Sequence, residues 1–506
     1  MTNLFKLHHS QYIKKIEKGA KLYSNLMEYG YLPDHWVLPP FVEVKTKNTT
    51  RTGDNNTREP KVLFAPKSKL KWRQFSFIHP NNYQKVCEVI TSKEYNDALL
   101  KLAVPTKIFS YTLPQTYTSS TQNAEKQIIR WTELQDDLLL FSDKYEYILV
   151  LDISNCYHTL YTHSIEWAFE SIGDKKTGAK LDVAIRQGMK NRTHGIPVGS
   201  AISHYVSETV LLKIDRDIEK TKEVKDYIGG RFRDNYYILC KSKQDAELLL
   251  KEVVIVLRKH NLDFNSEKTK IIKQSEYFDN FWRIDFTAIL SKLNINDKNT
   301  APIQLPIRKI EAFVGLTLRL SQEHNNEKAI IDRLLDILEN IDPEHNLYPK
   351  YFSIVQRIYQ IRTQTLPKVL GLLSLIASKN DYCKTRFRQF LISRLISAYQ
   401  GRDNFEMMWV IYFLSANKIK ITETIKTQII KIKKLDDPFL SLICTFYEES
   451  ISGAVLTHGD LFADLWKAEP NTSNLEAKFK VLLTVEDILK ILKINFTASS
   501  WFGGGY

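Results

Sequence analysis

The chain has 506 residues, 43% hydrophobic and 25% charged, and 71 Lys and Arg against 58 Asp and Glu give a net charge of +13. That length exceeds a single hydrophobic core, and the ordinary composition excludes collagen-like, low-complexity and wholly disordered chains. The basic excess favours a polyanionic partner, because each added cation eases approach to phosphate. Five cysteines (Cys87, Cys156, Cys240, Cys383 and Cys444) lie far apart, without a CxxC or a Cys/His pair at zinc spacing. They fit buried thiols in a reducing cytoplasm rather than a disulfide framework. The first residues hold no apolar stretch of signal-peptide length, and the longest uncharged apolar run, 369–378, is about half the roughly 20 residues of a membrane span. A cytoplasmic protein with no membrane partner is expected.

Residues 1–60 form an N-terminal segment. A helical pattern runs from Tyr12 to Glu28, a proline-containing stretch follows at 31–41, and a polar stretch at 45–60 reads as an exposed loop. From 61 to 290 the signals are mixed. YEYILVLDI at 145–153 has strand character and ends on a carboxylate, YYILC at 236–240 is a second strand, and 246–260 is a helical window. After the polar linker 294–304 the pattern changes. Residues 328–341, 351–362, 387–399 and 480–492 repeat apolar positions at helical spacing, and strand signals are nearly absent. The spacing predicts an α+β fold in which 300–506 is an all-α domain of stacked, HEAT-like helix pairs. A glycine-rich tail ends in Tyr506.

Two carboxylates stand out. Asp152 closes the apolar run LVLD, where partial burial would be costly without a cation or hydrogen bonds. Asp234 lies in GGRFRDNYYILC, which reads as strand, tight turn, strand with the acid at the turn. Each alone is ordinary, the first as a strand-end cap and the second as a turn residue. Between them THGIPVGSAIS (193–203) places Gly195, Pro197 and Gly199 ahead of a helix, a backbone able to approach a nucleotide closely. After them NLDFNSEKTKI brings Lys268 and Lys270 into a turn before a strand. Strand alternation would send Arg233 to the face opposite its neighbouring acid.

Taken in this order, the four stretches resemble the palm motifs of reverse transcriptases. LDISNCYHTLYTHSIEWA is similar to motif A in the form found in the abortive-infection (Abi) family, AbiK-like and prophage-borne. THGIPVGSAIS resembles motif B, FRDN motif C, NSEKTKI motif D, and KWRQFSFIHPNNY the fingers motif whose arginine meets the triphosphate. The likeness covers about residues 20–280. It implies fingers and palm at 61–290 and a dNTP-polymerising nucleotidyltransferase. Two Mg²⁺ ions, or Mn²⁺ in their place, would be held by Asp152, Asp234 and the Ile153 carbonyl, since hard cations need oxygen ligands. Asn235 stands where many relatives have a second acid. Arg73, and Lys71 less directly, would neutralise the triphosphate, and Lys268 or Lys270 would serve the pyrophosphate. Tyr157, five positions beyond Asp152, would clash with a ribose 2′-hydroxyl and so select dNTPs.

The resemblance further implies protein-primed, template-independent DNA synthesis in phage defence, with single-stranded DNA attached to a tyrosine. Val198, where templated enzymes carry Gln, agrees. Tyr12, Tyr23, Tyr29, Tyr31 and Tyr506 are candidate primers, and the helical half implies a homo-oligomer. Two alternatives stay open: a templated RNA-directed DNA polymerase of a retroelement, and a nucleic-acid-binding protein with a decayed palm, for which Asn235 argues.

Overall fold

Strands form where branched and aromatic residues cluster without a helical period. They are β1 (Val42–Thr46), β2 (Lys61–Pro66), β3 (Trp72–Phe77), β4 (Ile108–Ser110), β5 (Tyr147–Asp152), β6 (Tyr227–Phe232), β7 (Asn235–Cys240), β8 (Lys270–Lys273) and β9 (Leu475–Phe479). The computed structural model describes residues 4–16, 18–32, 37–39, 42–46, 57–67, 71–114, 120–141, 143–279, 282–296, 302–324, 328–359, 365–452 and 475–479. The expected helix at 480–492 and the tail with Tyr506 lie outside the described residues.

Five strands form one sheet in the order β4-β6-β7-β5-β8. β4 runs parallel to β6, and the other neighbours are antiparallel. Alternation along β7 explains why YYILC is apolar on both faces. The Tyr236 hydroxyl reaches Asp215 of the helix Ile202–Glu219. Tyr237, pointing the other way, meets Trp131 of the helix Ser120–Leu140, with ring centroids 5.4 Å apart. Layers on both faces therefore bury the sheet, and the strands read as continuous apolar runs. The window at 246–260 is the helix Lys243–Lys259, started by Ser242, whose hydroxyl accepts from the Asp245 amide.

The N-terminal pattern resolves into two helices, Leu4–Lys14 and Gly19–Tyr29. The second docks beside the glycine-rich loop. The Gly30 carbonyl accepts from the Ala201 amide (2.8 Å), and the Tyr83 hydroxyl donates to the Leu26 carbonyl (2.8 Å). A methyl group on Gly30 would lie 2.6 Å from that hydroxyl, 2.7 Å from the Leu26 carbonyl and 2.9 Å from Ala201 Cβ, so close packing requires glycine here.

Between residues 282 and 452 the described elements are all helices, in agreement with an α+β architecture. Side-chain caps set several boundaries. Asn380 accepts from the Cys383 amide, Asp403 from Glu406 and Thr422 from Ile425, each opening a new helix. The helix Asn404–Ala416 is buried on every side, with Trp409 fully enclosed, which is why NFEMMWVIYFLSA shows no amphipathic period. Phe439 packs against Phe77 of β3 at 4.9 Å, tying the helices to the β2–β3 hairpin. One feature departs from the expected helical C-terminal half: β9 pairs antiparallel with β1, from Val42↔Phe479 to Thr46↔Leu475. All five cysteines are free and buried, and among the described residues no helix is long and apolar enough to cross a membrane.

Candidate active site

Antiparallel register brings the two acids together. Asp152, last residue of β5, stands opposite Asn235, first residue of β7. Asp234 precedes Asn235 in the two-residue turn that joins β6 to β7, since Phe232 pairs with Asn235. The Ile153 amide donates to the Asp234 carbonyl at 3.0 Å, so β5 continues directly along that turn. Asp152 and Asp234 are 5% and 7% exposed. Burial, and then the neighbouring Asp152 charge, push the Asp234 carboxyl up to about 6. Asn235 Nδ2 donates to Asp234 Oδ1 at 3.2 Å, and Lys268 Nζ lies 3.3 Å from Asp152 Oδ2. Backbone bonds fix Lys268 there: the Asn265 amide donates to the Asp152 carbonyl (2.8 Å) and the Lys268 amide to the Asn265 carbonyl (3.2 Å). Lys270, by contrast, sits on β8 opposite Val150 and is exposed.

Arg233 corrects the alternation argument. It lies in the turn with φ 55°, not in a strand, so the strand rule does not govern it. Its charge is felt by Asp234, Tyr157 and His204. Asp234 is absent from the positive-φ residues, so the turn has the form that favours glycine at its first central position.

The glycine-rich loop lies against the stretch that follows Asp152. Gly195 (φ 84°) donates to the Leu160 carbonyl at 2.9 Å, and Ile196 donates to the Tyr157 carbonyl at 2.8 Å. A Cβ on Gly195 would stand 3.0 Å from the His158 carbonyl. The Pro197 carbonyl accepts from the Ser203 hydroxyl, the Ser76 amide donates to the Val198 carbonyl (2.9 Å), and Gly199 turns the chain into the helix with φ 117°. The half-buried Tyr157 has its hydroxyl 3.2 Å from His204 Nδ1. Burial raises the Tyr157 phenol to about 12 and holds His204 well below its usual value, so both are neutral near pH 7.

The β2–β3 pair supplies positive charge to the same site. Arg73 pairs in register with Ala65, and the Lys67 amide donates to the Lys71 carbonyl at 2.7 Å. Lys67 was not anticipated from sequence. Its ammonium is lowered to about 8, first by burial and then by Arg73 and Lys268, while Asp152 and Asp234 pull the other way. Arg73 in turn acts on Asp234 and on His158. Hairpin cations and sheet carboxylates thus share one electrostatic site. The expected Lys71 is exposed and lies 3.7 Å from Glu267. His204 and Lys67 carried no sequence signal beyond their type, since their partners come from distant segments.

Two buried carboxylates lie together here, Asp234 raised by burial and by Asp152, with Lys268 beside one oxygen of Asp152. A hard divalent cation fits that donor set. Elsewhere, among the described residues, His163, Glu166 and Asp182 offer ligand atoms within 4.8 Å of one another. There Asp182 is already paired with Arg186 (3.1 Å) and His163 (3.0 Å), so a cation would meet a guanidinium.

Comparison with known proteins bears on the same region. Residues 66–280 match the family model described as reverse transcriptase (RNA-dependent DNA polymerase), and the anticipated catalytic, metal-binding and nucleotide-binding residues lie inside that span. This part of the chain is a reverse-transcriptase domain. No curated protein matches the chain. Among solved structures, telomerase from Candida albicans in complex with a fragment of telomeric RNA aligns at 11% identity over 66% of this chain and 63% of that one, with a TM-score of 0.26. Apo telomerase from Candida tropicalis aligns at 12% identity over 79% of this chain and 70% of that one, with a TM-score of 0.30. At these scores the likeness carries no further argument.

Proposed function

We propose that the chain is a dNTP-polymerising nucleotidyltransferase, with Asp152 and Asp234 as the carboxylates that hold two Mg²⁺ ions and the Ile153 carbonyl as a further oxygen. The observation that carries this is the pairing of β5 with β7, which sets two buried acids side by side within the field of Lys67, Arg73 and Lys268. When bound, the ions act as Lewis acids on the attacking hydroxyl and on the departing pyrophosphate. Lys67 and Arg73 neutralise the incoming triphosphate. The attacking hydroxyl gives up its proton to water as its oxygen bonds to the α-phosphorus, the bond to pyrophosphate breaks, and Lys268 donates a proton to the leaving group. The Tyr157 ring, steadied by His204, occludes the space of a ribose 2′-hydroxyl. Gly195, Pro197 and Gly199 let the loop backbone approach the nucleotide.

The finer reading follows the Abi family: template-independent synthesis primed by a tyrosine, a HEAT-like helical half beside the product strand, a homo-oligomer, and a role in phage defence. Val198 supports it, since it cannot hold a templating base as Gln does. Of the four N-terminal candidate primers Tyr29 is the exposed one (42%), whereas Tyr12 and Tyr31 are buried with hydroxyls on Glu133 and on the Ile78 carbonyl. Incubating the protein with each labelled dNTP and Mg²⁺, without template, then running a denaturing gel, tests chemistry and priming together. Label that travels with the protein and vanishes in Asp152→Asn and Asp234→Asn is expected. Incorporation that survives both substitutions would refute the site.

A further inference from the structure

Beneath the Asp234 turn lies a buried set of charges that nucleotidyl transfer itself does not use. Arg231, on β6, is fully enclosed. Its Nε donates to both carboxylate oxygens of Asp215 (3.0 and 2.9 Å), and Nη1 and Nη2 donate to Glu208 (3.1 and 2.8 Å). Tyr236 adds a hydroxyl to Asp215 at 2.8 Å. Glu208 and Asp215 both belong to the helix Ile202–Glu219, about two turns apart. A buried ion cluster is weak evidence of stabilisation, because well-packed apolar side chains of similar volume often serve as well.

Geometry gives this cluster another role. Arg231 Nη1 also donates to the Arg233 carbonyl at 2.9 Å. The Arg233 amide donates to Thr112 Oγ1 at 3.1 Å, and that hydroxyl donates to Glu208 Oε2 at 3.2 Å. Both backbone polar groups of Arg233 are therefore held, and Glu208 joins the two holders. Arg233 is a non-glycine residue at φ 55°, a conformation that persists only where its surroundings over-determine it. The next residue is Asp234. We infer that Thr112, Glu208 and Arg231 are positioning residues, which clamp the Arg233 backbone and so aim the Asp234 carboxylate at a divalent ion. This rests on the reading of Asp152 and Asp234 as the metal carboxylates. It also couples the helix that follows the glycine-rich loop to the turn that bears Asp234.

Thr112 is half-buried and gives the gentlest test. Thr112→Val removes the hydroxyl with little change in shape, and Thr112→Ser returns it. Binding of Mn²⁺ to the full chain, read from the electron paramagnetic resonance of the free ion, reports the site without turnover. Thr112→Val is expected to bind about three- to tenfold more weakly and Thr112→Ser within about twofold of the wild type, the scale of one hydrogen bond. Thr112→Val should melt somewhat lower than the wild type, having lost two hydrogen bonds, yet remain folded in the binding assay, and Thr112→Ser should melt close to the wild type. Wild-type affinity in Thr112→Val, or no recovery in Thr112→Ser, overturns the positioning role. The polymerase reading still stands in that case if Asp234→Asn loses the ion. If Mn²⁺ binding is indifferent to both Asp152→Asn and Asp234→Asn, the reading of the site fails, and the positioning role fails with it.

Discussion

At Asp234 stability and chemistry pull in opposite directions. Its carboxyl titrates near 6 in the folded protein, against about 3.9 in an unfolded chain. The folded state therefore binds more protons than the unfolded state between those values, and stability falls as pH rises through that window. Above about pH 6 the loss is constant, of the order of 3 kcal/mol. Replacing the acid with the isosteric amide removes that penalty. In metal-free protein, Asp234→Asn should melt higher than the wild type at pH 7.5, and the gap should shrink toward pH 4. Melting curves in EDTA check this, and a variant less stable than wild type at pH 7.5 contradicts it. At this scale the sequence was partly readable. Asp152 and Asp234 announced themselves by strand end and turn. Arg231 did not, because its burial depends on Glu208 and Asp215, which lie far behind it in the chain. Lys67 stood in a lysine-rich run that reads as solvated surface.

Among elements, the contact between the N-terminal helix Gly19–Tyr29 and the glycine-rich loop is the most sterically defined. Gly30 has φ −97°, which any residue adopts, so alanine there would gain about 0.4–1 kcal/mol by restricting the unfolded chain. Against that stand three contacts under 3.0 Å around the added carbon, one of them to backbone. Overpacking of this kind costs about 1–3 kcal/mol and wins. Gly30→Ala should therefore lower stability by about 1–2 kcal/mol, measured by urea unfolding, and loosen the bond from Ala201 to the Gly30 carbonyl. The elements themselves were legible where a period existed. β5, β7 and the helix Lys243–Lys259 fell on their expected runs. The polar stretch at 45–60 hid the end of β1, and its partner β9 lay within a region read as helix, because pairing between distant strands leaves no local signal. The helix Asn404–Ala416 had no period to read, since it has no exposed face.

For the molecule as a whole the excess of cations is the simplest handle. A protein that holds a nucleic-acid strand by phosphate contacts releases counterions, so its affinity falls steeply with salt. Binding of a single-stranded oligonucleotide, followed by fluorescence anisotropy, should weaken at least tenfold between about 50 and about 200 mM salt. A salt-independent affinity would mean that the net charge of +13 serves some other purpose.

The pairing of β1 with β9 also has a bearing on synthesis at the ribosome. Val42–Thr46 leaves the exit tunnel before its partner, which is made roughly 430 residues later. At about 5–20 residues per second, that strand waits on the order of 20–90 s with one unsatisfied backbone edge. During that interval a neighbouring nascent chain offers the same sequence as β9, so exchange of this strand between copies is a hazard of translation on crowded polysomes.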